Sequence, residues 1–221
     1  MNILITGVHG FVGSNLVKAL VPEHTIFGLD IVAPKKEGVK KTFFWEDLPS
    51  TSLGQSQLLD FQKIDAIIHL AGKAHDTRNK SAADVYFKVN TGLTQRIFDW
   101  FLTSKSAKKF IFFSTVKSAA DRVEGEFLTE ECVPTPVGPY GESKIKAEDY
   151  IIEHFAPEAL KRPYHNFNDS DSIIKDKQVY IMRPCMIHGP GNKGNLNLLY
   201  GVVDKGIPWP LGSFQNHRSF T

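Results

Sequence analysis

Ile3-Leu4-Ile5-Thr6-Gly7-Val8-His9-Gly10-Phe11-Val12-Gly13 decides the fold: an apolar strand, a cluster of glycines, then the helical stretch Ser14 to Leu20. Glycines between a strand and a helix permit a tight turn and let backbone N–H groups close on a pyrophosphate at the helix N-terminus. The third glycine lets helix and strand pack closely. The spacing is GxxGxxG rather than the GxGxxG of the general dinucleotide fingerprint, and alone it describes any glycine turn in an α/β protein. Further on, Thr25 to Leu29 reads as a second strand, and Asp30 ends it seventeen residues beyond Gly13. A carboxylate there accepts both ribose hydroxyls of NAD and repels the 2′-phosphate of NADP. Ile31 and Val32 follow, with no adjacent arginine to hold that phosphate, while Lys35 and Lys36 read as a solvated loop, so NAD is expected over NADP. Asp47-Leu48 admits two equal readings, an adenine edge or a helix N-cap with an apolar staple.

The same rhythm runs through the chain. Thr42 to Trp45, Ala66 to Leu70, Phe110 to Phe113 and Val179 to Met182 are short apolar runs, with helical stretches at Ala82 to Leu102 and Glu142 to Phe155. Continuous apolar strands separated by helices predict a parallel sheet covered on both faces. The expected fold class is therefore α/β, a Rossmann-like doubly wound sheet over residues 1–188. Pro157 to Gln178 is polar and is expected to be a surface excursion. After Arg183-Pro184 the alternation stops: with a turn at Gly189 to Asn192, a helix at Leu196 to Val203 and a loop at Pro208 to Gly212, residues 189–221 are expected to be a small, truncated second part.

Composition sets outer bounds. The chain has 221 residues, 42% of them hydrophobic and 23% charged, with a formal net charge of +2. Such a chain buries a core and requires no nucleic-acid partner. Two cysteines, Cys132 and Cys185, exclude a disulfide framework and a cysteine zinc site, and fit a reducing compartment. No apolar run approaches the ~18 residues that span a membrane. The N-terminus has no signal-peptide pattern, so a cytoplasmic protein is expected. None of the scattered histidines has metal-ligand spacing, and no metal is expected. The lysines at 35, 36, 40, 41, 105, 108 and 109 read as solubilising surface.

Tyr140 and Lys144 lie four apart in Pro139-Tyr140-Gly141-Glu142-Ser143-Lys144 and share a helix face. A phenol is a poor base at neutral pH, but a nearby ammonium favours the phenolate and lowers its pKa. The pair is therefore a candidate general acid/base beside a hydride acceptor, with Lys144 also able to hold a nicotinamide ribose. Ser114-Thr115 follows the fifth strand, at the carboxyl edge where open α/β sheets bind ligands. A hydroxyl there either shares a hydrogen bond with substrate and Tyr140 or caps the next turn.

These pieces occur in a known order. GVHGFVGSNL at Gly7, Asp30, DAIIHLAG at Asp65, Asn90, FFST ending at Thr115, PYGESKIKAE at Pro139 and MRPCMIHGPG at Met182 together resemble the extended short-chain dehydrogenase/reductase superfamily, in its NAD-dependent epimerase/dehydratase branch. The resemblance implies that Gly7, His9, Gly10, Phe11, Val12 and Gly13 form the loop at the pyrophosphate, with Asp30 at the adenosine ribose. It implies Asp47 and Leu48 near the adenine, and Leu70, Ala71, Gly72, Asn90 and Ser114 along the dinucleotide. Thr115, Tyr140 and Lys144 would be the catalytic residues. Asn195 resembles a substrate-side amide, and Arg218 the arginine that grips a nucleotide-sugar diphosphate. Three departures matter. Val116-Lys117 stands where the family's dehydratases carry Asp-Glu; His188-Gly189 replaces the common Tyr-Gly; and relatives run longer, which implies a partial chain. The implied activity is C4 epimerisation of a nucleoside-diphosphate sugar with NAD. The alternatives are a keto-sugar-nucleotide reductase using NAD(P)H and a dinucleotide sensor without chemistry. A homodimer through the helices bearing Asn90 and Tyr140 is implied as well.

Overall fold

The computed structural model describes residues 1–48, 63–74, 82–123, 125–161, 171–192 and 195–206, with the backbone alone for 195–199. The chain divides into two compact units, Met1–Arg183 and Pro184–Thr221. In the first unit, β1 (Asn2–Thr6), β2 (Thr25–Asp30), β3 (Val39–Phe44), β4 (Ala66–His69), β5 (Lys109–Phe113) and β6 (Gln178–Met182) form one sheet in the order β3-β2-β1-β4-β5-β6. Every pairing is parallel, as the continuous apolar strands predict. The order reverses between β1 and β4, which places the ends of those two strands, Thr6 and His69, at the crevice where such sheets take ligands.

Alternate residues face opposite layers. Leu4, Phe27, Leu29 and Ile67 join the larger cluster with Phe98, Phe101, Phe110, Phe112, Ile151 and Phe155. Ile3, Ile5, Ile26 and Ile68 face the other side with Val8 and Val17. The helices are α1 (Phe11–Leu20), α2 (Ala83–Tyr86), α3 (Leu93–Thr103) and α4 (Gly138–Phe155). Between α2 and α3 the backbone widens into a π-helical turn at Phe87–Gly92, which carries Asn90. Each fully buried phenylalanine contributes about 1.5–3 kcal/mol, so the face that packs Phe98, Phe101, Phe110, Phe112 and Phe155 holds most of the apolar stabilisation.

Four details add to the expected picture. β3 ends at Phe44, and Trp45–Asp47 is a 3-10 turn, because the Asp47 carboxylate accepts from the Phe44 N–H at 2.8 Å while Trp45 turns into the core. No helix lies between β2 and β3; residues 31–38 cross directly. α4 starts at Gly138 with Pro139 in its first turn, so the motif from Pro139 to Lys144 opens the helix, as its pattern predicts, and Tyr140 sits at its beginning. The polar excursion is anchored at both ends. Ala159 in the 3-10 turn Pro157–Lys161 is fully buried, and Lys177 donates to the carbonyls of Ser104 at 2.6 Å and Ala107 at 2.8 Å. The Asn166 to Ser170 part of that excursion lies outside the described residues.

In the second unit a turn closes with Asn192 N–H on the Gly189 carbonyl at 3.1 Å, and α5 (Asn195–Asp204) follows. Gly206, at φ 63°, donates to the Val203 carbonyl at 2.9 Å and ends that helix, as a left-handed glycine does. Among the described residues no helix is long and apolar enough to cross a membrane.

Candidate active site

The turn after β1 is built by what its glycines lack. Gly7 has φ +67° and donates to the Leu29 carbonyl at 2.9 Å. A Cβ on Gly13 would stand 2.5 Å from the Gly7 carbonyl oxygen and 2.9 Å from Val8 Cα, and one on Gly10 would stand 3.1 Å from the same oxygen. A side chain is therefore excluded at Gly13 and crowded at Gly10, and the backbone at the N-terminus of the ten-residue helix α1 stays open to close approach. Asp30 closes the loop from β2: its carboxylate accepts from His9 N–H at 3.0 Å and Ile31 N–H at 2.8 Å. Lys36, expected in a solvated loop, instead donates to Ser14 Oγ at 2.7 Å, in the first turns of α1. Leu48 is buried in the core and Asp47 caps Phe44, which are the contacts of the cap-and-staple reading.

The end of β4 is held by a buried chain of polar groups. Thr94 Oγ1 gives its one proton to the Asn90 carbonyl at 2.6 Å, so it accepts from His69 Nε2 at 2.9 Å. His69 Nδ1 then accepts from Thr6 Oγ1 at 2.6 Å, and Thr6 accepts from the amides of Leu70 at 3.1 Å and Ala71 at 2.9 Å. Burial holds the His69 imidazole well below its ordinary range, and the Lys144 charge adds to this. His69 is thus a neutral structural group, fixed in one tautomer by its two threonines. Asn90 is equally committed: its side chain receives the Lys73 N–H at 2.6 Å and donates to the Lys73 carbonyl at 3.0 Å and to Ser143 Oγ at 2.9 Å. It ties the Leu70–Lys73 loop to α4. Gly72 lies against this junction, since a Cβ there would meet Asn90 Oδ1 at 3.0 Å and Lys144 Nζ at 3.4 Å.

β5 and α4 bring the remaining groups together. Lys144 is buried, donates to the Phe113 carbonyl at 2.8 Å and stands 4.7 Å above the Phe112 ring. Burial lowers its ammonium to about 8, against a smaller upward pull from Glu148. Tyr140 is hydrogen-bonded with Thr115; burial pushes its phenol up, and the Thr115 bond works in the opposite direction. The expected lowering by Lys144 is therefore not met in the protein by itself. Desolvation of the phenolate dominates, and the Lys144 ammonium is committed to a carbonyl. Thr115 also accepts from Lys117 N–H at 3.3 Å, so it caps the 3-10 turn Val116–Ser118 as well as meeting the tyrosine. Gly141 admits no side chain because the Lys117 carbonyl lies where its Cβ would be.

Glu148, which motif spacing does not single out, is fully buried one turn beyond Lys144. It accepts from Ser114 Oγ, from Ser118 Oγ at 2.5 Å, and from Arg183 Nε at 3.0 Å and Nη2 at 2.5 Å. Ser114 thus turns to Glu148, while its neighbour Thr115 turns to Tyr140. The one available signal was position: residues 144, 147, 148, 151, 152 and 155 form the stripe that α4 buries. Among the described residues no three His, Cys, Asp or Glu side chains are grouped to hold a metal ion. Arg218 and the Asn195 side chain lie outside the described residues.

Known proteins place this arrangement. The family model described as "NAD dependent epimerase/dehydratase family" matches residues 3–200. A UDP-glucose 4-epimerase of Vibrio cholerae is 31% identical over 99% of this chain, which spans 62% of that relative's length. The UDP-glucuronic acid 4-epimerase of Bacillus cereus, solved with UDP-glucuronic acid and NAD, superposes with a TM-score of 0.68 at 23% identity, over 100% of this chain and 69% of that one. The dTDP-glucose 4,6-dehydratase DesIV of Streptomyces venezuelae, solved with NAD, gives a TM-score of 0.69 at 22% identity, over 100% of this chain and 67% of that one. At those identities the two structures speak for the fold. With the family match extending from β1 into α5, over the six-stranded parallel sheet and the helix that carries the Tyr140–Lys144 pair, this chain belongs to the NAD-dependent epimerase/dehydratase family.

Proposed function

We propose that the chain binds NAD in its first 188 residues and acts in C4 epimerisation of a nucleoside-diphosphate sugar, with residues 189–221 belonging to the substrate side. The observation that carries the proposal is one juxtaposition. Gly72, beside the turn in which Gly13 has no room for a Cβ, lies against Lys144, which shares its helix with the Thr115-bonded Tyr140. The cradle suits a dinucleotide. Gly7 to Gly13 would take the pyrophosphate, the Asp30 carboxylate the adenosine ribose, and Lys144 the nicotinamide ribose. NAD, when bound, supplies the acceptor and later the donor of a hydride, together with a positive charge near Tyr140.

The protein's own groups then move the proton. Tyr140 Oη takes it from the sugar 4-hydroxyl as C4 is oxidised, and returns it when C4 is reduced on its other face. Because burial keeps Tyr140 a phenol, base character depends on positive charge brought alongside it. Thr115 orients the same hydroxyl, and Lys144 contributes its charge. Epimerisation is favoured over 4,6-dehydration by residues 116 and 117. Val116 offers no proton carrier, and Lys117 pairs with Asp121 on the surface. The 4-epimerase relative supports the same choice. The proposal also includes a cytoplasmic homodimer pairing through α2, α3 and α4.

The test adds NAD and a panel of UDP-, GDP- and dTDP-sugars to the protein, with parallel samples that receive NADH or NADPH and the 4-keto sugar nucleotides, and follows sugar configuration by NMR and absorbance at 340 nm. Interconversion at C4 without net absorbance change supports the proposal. Stoichiometric consumption of NADH or NADPH makes the protein a reductase, and NAD binding with no chemistry on any sugar makes it a sensor.

A further inference from the structure

The group of Thr115, Tyr140 and Lys144 hangs on one tripeptide, Phe113-Ser114-Thr115. The Phe113 carbonyl holds Lys144 at 2.8 Å, and Thr115 meets Tyr140. Ser114, between them, is gripped from two sides. Its N–H donates to the Met182 carbonyl at 2.7 Å, and its hydroxyl donates to Glu148. Glu148 shares α4 with Tyr140 and Lys144 at intervals of four, so all three lie along one helix face. A fully buried carboxylate that served packing alone would be costly, and one served by four donors is bound to a particular geometry. Arg183, 22% exposed at its side chain, balances the carboxylate from the end of β6.

We propose that Glu148 is a positioning residue of the catalytic group: it pins Ser114 between the Lys144 and Tyr140 contacts, and it sets its carboxylate one helical turn from the buried Lys144 ammonium. This inference rests on the function proposed above for its purpose, though not for its test. The direction of the electrostatics agrees, since burial lowers Lys144 to about 8 and Glu148 is the group that pulls upward. Among the described residues, the other titratable groups near Lys144 are Tyr140 one turn before it on α4, neutral His69 on β4 and, on the far side of Glu148, Arg183 just after β6. From the π-helical turn the neutral Asn90 reaches this junction, while Lys88 is exposed.

The test reads Lys144 in the unliganded protein by NMR of 13Cε-labelled lysine, with the Lys144 signal assigned by its loss in Lys144→Arg. Glu148→Gln keeps volume and removes charge; the Lys144 midpoint is expected to fall by about 0.5 pH unit or more, a change of at least about threefold in proton affinity. Arg183→Gln leaves the carboxylate charge uncompensated, and the midpoint is expected to rise. Glu148→Asp keeps the charge and holds the midpoint closer to that of the unaltered protein than Glu148→Gln does. A purely structural Glu148 lowers the melting temperature in all three variants and moves the midpoint in none. That result, or Glu148→Gln and Arg183→Gln shifting it the same way, overturns the proposal. If Glu148→Gln does not fold, opposite shifts in Glu148→Asp and Arg183→Gln still support it, and an unmoved midpoint in both overturns it. Failure of NAD to bind would count against the proposed function while leaving this titration intact.

Discussion

The loop after β1 and the cluster at the end of β5 sit on the same sheet edge but are made by opposite means. At Gly7 to Gly13 the shape comes from missing side chains: a Cβ at Gly13 would stand 2.5 Å from a carbonyl oxygen. At Ser114 to Thr115 it comes from side chains carried in from β5, α4 and β6, with a buried carboxylate at the centre. The first is a matter of local backbone and tolerates no bulk. The second depends on charge and proton position and tolerates isosteric change in shape better than change in chemistry.

That contrast sets the order of expected effects. Tyr140→Phe keeps the ring and loses only the oxygen that carries the proton. Turnover on the true substrate is expected to fall by about 10²-fold or more, with the NAD Kd changed less than about threefold; a near-normal rate would remove Tyr140 from the acid/base role. Gly13→Val acts on the other region by overpacking, about 1–3 kcal/mol or more, read as a melting temperature several degrees lower and loss of NAD binding. Should Gly13→Val bind NAD as the unaltered chain does, the close packing of α1 on the loop would not be what builds the cradle.

Acidity provides a sharper separation. Lys144, held at about 8, is protonated at neutral pH and loses its charge as pH rises through that value. The NAD Kd is expected to rise about three- to tenfold from pH 7 to pH 9, and Lys144→Met to flatten the slope. Stability runs the other way. Between about 8 and the ordinary value of 10.5 the unfolded chain holds the Lys144 proton and the folded chain does not, so this group's contribution to stability increases with pH across that window. Comparing denaturant midpoints of the unaltered protein and Lys144→Met at both ends of the window checks the sign. The smallest effect belongs to Lys36. Removing its contact with Ser14 by Lys36→Ala is expected to weaken binding of either dinucleotide by less than about threefold, as for a partly exposed charge.

The two regions also differ in how far they could be read from residues alone. The glycine turn, Asp30 and the strands were legible because each is a local pattern: period, spacing and a strand-ending acid. The Tyr140–Lys144 pair was legible as a helix face. Glu148 was not, because in Lys-Ala-Glu-Asp a glutamate looks like solvated charge until Arg183, from β6, and Ser114, from β5, are brought against it. His69 carries no spacing signal of its own, and its role between Thr6 and Thr94 depends on β1, β4 and α3 being neighbours. Lys36 was misplaced because the crossing from β2 to β3 carries no helix and folds back over α1. Partners far apart in sequence account for each of these.

The central claim, that the first unit is an NAD cradle with Asp30 at the ribose, is tested most directly by calorimetric titration of the unaltered chain with NAD and, in parallel, NADP. The account predicts saturable NAD binding, about tenfold or more tighter than NADP, because the carboxylate that accepts the ribose hydroxyls repels a 2′-phosphate. No saturable heat from a cooperatively melting chain, or tighter binding of NADP, would contradict it.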